Sequence, residues 1–227
     1  MEFKSVINTS TILLATFSIA FYYRHSRTVI SEQIDAADMK TIVVLGGSFA
    51  GVSTSHRILK KNPDVKIILV SPDTNIYWNL AGPRAIIPGG FADDKLFAPF
   101  APGFKQYGDR YEFVLGTAEK LDIEGKTVSV ALSEGGEKPL IYDQLILATG
   151  SRMADDAHVP YKSEGNFEKT RDRLHAFQEK VKNAQTIVVA GGGATGVETA
   201  GELGCEYGST KRITLVCICY SGSASKN

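Results

Sequence analysis

The sequence predicts an α/β protein built from two strand–helix–strand nucleotide-binding units, and three observations carry that prediction. A glycine-rich turn, Gly46-Gly47-Ser48-Phe49-Ala50-Gly51, directly follows the apolar run Ile42–Leu45. A near copy, Gly191-Gly192-Gly193-Ala194-Thr195-Gly196, directly follows Ile187–Ala190. The first run, Thr41–Leu45, is short, continuous and rich in β-branched residues, the mark of a strand buried on both faces of a parallel sheet.

The N-terminus comes first and stands apart. Ser5 to Tyr23 carries no charge, and nineteen helical residues would reach roughly 28 Å, enough for a bilayer core. Arg24, His25 and Arg27 follow at once, a charge bias that would leave the body of the protein on the cytosolic side. Residues 5–23 therefore read as a membrane anchor of the mitochondrial outer-membrane kind, facing the cytosol. A cleaved targeting segment and an artefact of the gene model are the alternatives, and a cytoplasmic place is the expectation if the segment is not an anchor. Residues 1–40 comprise this segment and a polar linker.

Thr41–Leu45 is then a strand, and Val52 to Lys61 a helix ending in Lys60-Lys61, favourable at a C-terminus. Asn62-Pro63-Asp64 breaks it before a second buried strand, Val65–Val70. The whole is the size of one βαβ unit. Ser71 to Gly108 is rich in proline and glycine, and long segments of this kind usually build a site. Tyr111–Leu115, Ala118–Asp122, Thr127–Leu132 and Leu140–Tyr142 read as an antiparallel meander, with turns at Glu124-Gly125-Lys126 and Glu134-Gly135-Gly136. Leu145–Ala148 returns as a buried strand and stops at Thr149-Gly150. Residues 41–160 thus form the first domain. Within 161–183, Phe167, Thr170, Leu174, Phe177 and Val181 make one apolar stripe on a connecting helix, read as packing. Residues 184–219 open a second βαβ unit, with Lys211–Ile218 as its second strand, and 220–227 are an atypical polar tail.

Composition narrows the function. Formal net charge is zero over 227 residues, with no basic block, so no nucleic-acid partner is expected. Cys217 and Cys219 read as buried thiols of an apolar strand, and Cys205 has no motif partner. The four histidines, His25, His56, His158 and His175, are scattered without a ligand-like partner, so no metal site is assigned. No redox disulfide follows the first glycine turn, which argues against a disulfide reductase.

The glycine turns deserve different weights. Gly191, Gly193 and Gly196 satisfy all three positions of the dinucleotide fingerprint, whereas Ser48 occupies the central position of the first copy. The acid expected at the end of the second strand, for a ribose hydroxyl, is missing twice. Ser71 stands there in the first unit, with Asp73 two residues late, and Cys217 stands there in the second. NAD cannot be chosen over NADP without that acid. Two such turns suggest two nucleotides held face to face, as hydride transfer from a nicotinamide to a flavin requires.

Together these residues resemble the FAD- and pyridine-nucleotide-dependent oxidoreductases of the apoptosis-inducing-factor-like group, in the AMID and ferroptosis-suppressor branch with its fungal members. The likeness rests on Val43–Gly51, Tyr77-Trp78-Asn79-Leu80-Ala81-Gly82-Pro83-Arg84-Ala85, Gly116-Thr117-Ala118, Leu145–Ser151 and Gly191–Glu198. It implies two Rossmann-like three-layer ββα domains of the pyridine nucleotide-disulfide oxidoreductase type, the second incomplete. It further implies that Gly46, Gly47, Ser48, Phe49, Ala50 and Gly51 hold the FAD pyrophosphate, with Arg84 near the flavin and Ala118 at the adenine. Thr149 and Gly150 would close over the FAD. Gly191, Gly193 and Gly196 would cradle NADH or NADPH, with Glu198 near the nicotinamide ribose. Hydride would pass to the flavin and electrons to a quinone, by placement of two rings and without an acid–base dyad, so no catalytic side chain is assigned.

The resemblance also implies a longer protein, with a segment returning to complete the flavin domain. The expectation is an oxidoreductase impaired as written. Its alternative is a non-catalytic, membrane-tethered fragment that binds nucleotide or a partner.

Overall fold

The computed structural model describes residues 39–153 and 159–217. The anchor at residues 5–23, the tail, His25, His158 and Cys219 lie outside those residues. Among the described residues no helix is long and apolar enough to cross a membrane.

Strand β1 (Lys40–Leu45), helix α1 (Phe49–Lys61) and strand β2 (Val65–Ser71) form the first βαβ unit, with β1 and β2 parallel from Lys40↔Val65 to Leu45↔Val70. The helix begins at Phe49, three residues before the sequence places it, because the glycine turn passes straight into the first helical turn. A short antiparallel pair, β3 (Asn75–Tyr77) with β4 (Phe97–Pro99), encloses the short helices α2 (Gly82–Ala85) and α3 (Asp93–Leu96). Helix α4 (Ala101–Phe104) leads to the meander of β5 (Tyr111–Asp122), β6 (Thr127–Leu132) and β7 (Glu137–Ile141). Strand β8 (Gln144–Leu147) completes a six-stranded sheet of order β7-β6-β5-β2-β1-β8.

Two expectations change here. The separate runs Tyr111–Leu115 and Ala118–Asp122 are one strand. Its first part pairs parallel with β2 and its second part antiparallel with β6, across a register shift between Ala118 and Lys120. Gly116 permits the passage, since a side chain there would meet the Ala131 carbonyl. Leu145–Ala148 is likewise not buried: β8 is an edge strand, and Leu147 is 65% exposed.

Alternation along β1 and β2 builds two cores. Ile42, Val44, Ile67 and Leu69 face Leu59 of α1 and the ring cluster of Phe100, Phe104 and Tyr107. Val43, Leu45, Ile68 and Val70 face the other way, where Val128, Val130 and Leu140 of the meander close over them. Each such burial contributes about 1.5–3 kcal/mol before the entropy of ordering is counted.

Helix α5 (Phe167–Asn183) follows, then β9 (Thr186–Ala190), helix α6 (Ala194–Tyr207) and β10 (Arg212–Val216), with β9 and β10 in parallel register from Thr186↔Arg212 to Ala190↔Val216. The stripe on α5 packs as the periodicity predicts, with Thr170, Leu174 and Val181 buried. Strand β10 is shorter than Lys211–Ile218, and Cys217 just beyond it is exposed. The thiol expected to be buried at Cys217 is exposed, and among the described residues no element covers this side of the pair.

Candidate functional site

The first glycine turn forms the wall of a cleft of about 670 Å³ bounded by the C-terminal ends of β1, β2 and β8 and by Gly116–Ala118 in the middle of β5. Gly46 has φ +115°, a region that favours glycine, and a Cβ on it would run into the Ala148 carbonyl. Its amide donates to the Val70 carbonyl at 2.8 Å. A Cβ on Gly47 would come within 2.6 Å of Ser71, and one on Gly51 would overlap the Gly46 carbonyl. So the turn, the end of β2 and the end of β8 meet with no room for side chains between them.

Helix α1 opens on this turn without a side-chain cap and with no acid in its first turn, while Lys60 and Lys61 lie in its last. Helix α5 offers the contrast: Asn166 caps it by accepting from the Lys169 amide at 2.9 Å, and Glu168 sits in its first turn. The free first-turn N–H groups of α1 and its positive end are a ready site for an anion. A dinucleotide pyrophosphate fits that requirement.

Of the predicted residues, Gly46, Gly47, Ser48, Phe49, Ala50, Ala118, Thr149 and Gly150 all line the cleft. Gly51 lies just behind, packing α1 onto β1. Ser48, at the centre of the fingerprint, is exposed and extended, and its hydroxyl makes no cap hydrogen bond. It therefore faces the cleft with its donor available.

Arg84 is not among the lining residues. Its guanidinium donates from Nη1 to Glu202 Oε2 at 3.0 Å, tying α2 to α6.

The second turn repeats the first in its positive φ, its amide hydrogen bond and its close helix, but a Cβ on Gly191 would meet nothing within 4 Å, where one on Gly46 meets the Ala148 carbonyl. Gly191 has φ +118°, and its amide donates to the Val216 carbonyl at 2.8 Å. A Cβ on Gly192 would reach Cys217 Cβ at 2.6 Å, and one on Gly196 would overlap the Gly191 carbonyl. Gly193 faces open space and stands as N-cap of α6 with no side-chain cap and no acid in the first turn. Cys217 is thus the counterpart of Ser71. Glu198 is exposed one helical turn further on. None of Gly191, Gly192, Gly193, Gly196, Glu198 and Cys217 lines the first cleft.

The structure adds residues that the sequence reading did not assign. Asp73, Asn75, Tyr77 and Asn79 line the cleft from the segment after β2, and Arg152 and Lys162 line it too. Burial raises the Asp73 carboxyl above its ordinary range, against the opposing pull of the Asn75 and Thr74 amides. Burial pushes the Tyr77 phenol up to about 12, and its hydroxyl donates to the Pro160 carbonyl at 2.7 Å. Arg152 was within reach of sequence reading, since it directly follows Thr149-Gly150-Ser151 at the strand end. Lys162 had no such signal. Among the described residues no group of histidines, cysteines and carboxylates could hold a metal.

Residues 40–219 match the family model described as pyridine nucleotide-disulphide oxidoreductase. The chain is 51% identical over 184 residues to Oxidoreductase ptaL of Pestalotiopsis fici, covering 78% of this chain and 49% of that one. It is 32% identical over 179 residues to Ferroptosis suppressor protein 1 of Homo sapiens, covering 77% of this chain and 43% of that one. The chain thus spans about half the length of the curated relatives it matches. Among solved structures, a water-forming NADH oxidase from Lactobacillus brevis bound to NADH aligns with TM-score 0.62 at 21% identity, over 78% of this chain and 39% of that one. The sulfide:quinone oxidoreductase of Aquifex aeolicus aligns with TM-score 0.61 at 24% identity, over 78% of this chain and 43% of that one. These two likenesses speak to the fold.

Proposed function

Because the chain belongs to the pyridine nucleotide-disulphide oxidoreductase family, we propose that it is the nucleotide-binding part of an FAD-dependent oxidoreductase. In this reading electrons pass from NADH or NADPH through FAD to a quinone-type acceptor. The observation that carries it is the pair of uncapped helix N-termini, each behind a glycine turn of the same geometry. The first turn opens on the cleft of about 670 Å³, a volume within the range of cofactor sites.

Gly46 to Ala50 and the first amides of α1 hold the FAD pyrophosphate, and the Ser48 hydroxyl adds a donor in place of the usual glycine. The backbone at Ala118 borders the adenine. Thr149 and Gly150 close the opposite wall, where Gly150 takes φ +69°. Arg152 and Lys162 bring positive charge to a ligand that carries negative charge. Gly191, Gly193 and Gly196, with α6 behind them, hold the pyrophosphate of the reduced nicotinamide nucleotide, and Glu198 borders its ribose. FAD held by these residues would supply two-electron chemistry between the reduced nicotinamide and the acceptor. The chain's own contribution is placement, which needs no acid–base pair.

The apolar acceptor has support at the cleft mouth. Trp78 and Leu80 are 50% and 70% exposed, Leu80 lines the cleft, and Phe49 meets Trp78 edge-on at 5.1 Å. A flat quinone ring suits such a platform. Anchoring through residues 5–23 would hold the chain at a lipid surface, where a lipid quinone resides, and membrane partition of the full chain against one lacking residues 5–23 tests it.

The function is tested by the visible absorption spectrum of the purified chain, before and after NADH or NADPH is added without oxygen. A flavin band that bleaches supports the reading, and quinones can then be tried as acceptors. A flavin band that persists leaves a non-catalytic binding fragment. A folded, colourless protein that takes up no added FAD sinks the proposal.

A further inference from the structure

We infer that Asp73, and not the residue at the end of β2, accepts the hydroxyls of the adenosine ribose in the FAD cleft. The inference rests on the FAD reading above and assigns a ribose contact to a residue outside the fingerprint. The last residue of β2 is Ser71, and it abuts the phosphate turn so closely that a Cβ on Gly47 would lie 2.6 Å from it. Ser71 is buried, and its hydroxyl accepts the Asp73 amide at 3.2 Å. The chain is thereby bent back so that Asp73 lines the same cleft as Gly46 to Ala50.

The carboxylate is held in place as well as positioned. Its Oδ1 accepts the Asn75 amide at 3.1 Å, an Asx turn that fixes the side-chain direction. A Cβ on Gly165 would meet Pro72 Cγ at 3.5 Å, so the chain at Gly165 passes close to this loop on its other side. Among the described residues no cation lies at ion-pair distance from Asp73, and the charged neighbour that acts on it is Glu168, which repels it. Beyond the Asn75 and Thr74 amides, this half-buried carboxylate has no cation among the described residues to favour its charge. The vicinal hydroxyls of a ribose would supply the further donors. Position 71 cannot do this work, because a serine hydroxyl already engaged by the backbone offers no charged acceptor.

The test measures binding by the full chain, not activity. The affinity for FAD is compared with that for an FAD analogue whose adenosine ribose lacks the 2′-hydroxyl, by flavin fluorescence, in wild type and in Asp73→Asn. Asn keeps the oxygen that accepts the Asn75 amide, so the turn survives. If the variant does not fold, Asp73→Ser serves, since serine can form a similar turn. Wild type is expected to prefer FAD by roughly tenfold or more, and the variant to bind both nearly equally. The double variant Ser71→Asp, Asp73→Asn is expected to regain a preference, as the acid returns to the strand end. Tight FAD binding in wild type with the same preference in Asp73→Asn overturns the assignment and leaves the FAD reading intact. A folded wild type that binds neither ligand overturns both.

Discussion

At the scale of single residues, the two turns divide their glycines by the reason each is needed. Gly51 and Gly196 hold a helix against the strand before it, and a Cβ on either would overlap a carbonyl of the turn. Backbone there has no rotamer with which to escape. Gly51→Ala is expected to cost about 1–3 kcal/mol as overpacking, to lower the thermal midpoint and to weaken FAD binding at least tenfold. A variant with unchanged melting and binding would show that α1 can slide, and the cradle would lose its basis. Cys217 makes a different kind of prediction. It occupies in the second unit the place that Ser71 holds in the first, and it carries no acid to repel a 2′-phosphate. Wild type is therefore expected to bind NADH and NADPH within a few-fold of each other. Cys217→Asp should shift that ratio toward NADH by roughly tenfold, read by titration of intrinsic fluorescence. An unchanged ratio would place 2′-position recognition elsewhere.

At the scale of elements, capping separates the helices that bind from the helix that supports. Asn166 satisfies an amide of α5 that would otherwise be an orphan. Asn166→Ala is expected to cost about 1 kcal/mol in a denaturant titration and to leave nucleotide affinity unchanged. Helix α1 carries a second device on its outer side. The His56 ring stacks on Phe104 at 4.1 Å, and its Nδ1 lies 3.0 Å from the Tyr107 hydroxyl. Burial first, and repulsion from Lys60 second, lower its pKa from 6.5. The native state therefore binds this proton less readily than the unfolded chain does. Stability from His56 is complete above the unfolded value of 6.5 and is lost as the pH falls through it toward the folded value. Thermal midpoints at about pH 7.5 and pH 5.5 should differ more in wild type than in His56→Gln. Equal differences would mean that other groups set the acid sensitivity.

These elements also show what a sequence can disclose. Thr186–Ala190 and the stripe on α5 were legible because β-branched runs and a three-to-four spacing are local patterns. The joining of Tyr111–Leu115 to Ala118–Asp122 was not. Gly116-Thr117 reads as a break, and only pairing with β2 and β6 at once makes it one strand. The glycine turn announced the cleft, while Lys162 reaches it from more than a hundred residues later in the chain. The pairing of Arg84 with Glu202 also depends on helices far apart in sequence, and no local spacing encodes that contact.

At the scale of the molecule, the two units are joined by an apolar cluster that neither could bury alone. Tyr77, Ile86, Leu96 and Phe97 come from the first unit's loop segment, Leu174 and Val181 from α5, and Leu203 from α6. Tyr161 adds a strap, with its ring against Gly82 and its hydroxyl 2.7 Å from Thr199 Oγ1. The Arg84–Glu202 pair contributes little beside these, since its side chains are 55% and 32% exposed, and such pairs are worth about 0–1 kcal/mol. The weight falls on the cluster. Leu203, 1% exposed, is the test position, and Leu203→Ala should cost about 2–5 kcal/mol. The cost should appear as one transition, shared by both units, because the cluster belongs to both. Far-ultraviolet circular dichroism and the fluorescence of Trp78, the single tryptophan and a residue of the first unit, report on different parts of the chain. Coincident, equally shifted unfolding curves are expected in Leu203→Ala. A tryptophan curve that stays in place while the dichroism curve shifts would mean that the units unfold separately. The two units would then need some agent other than this cluster to hold them together.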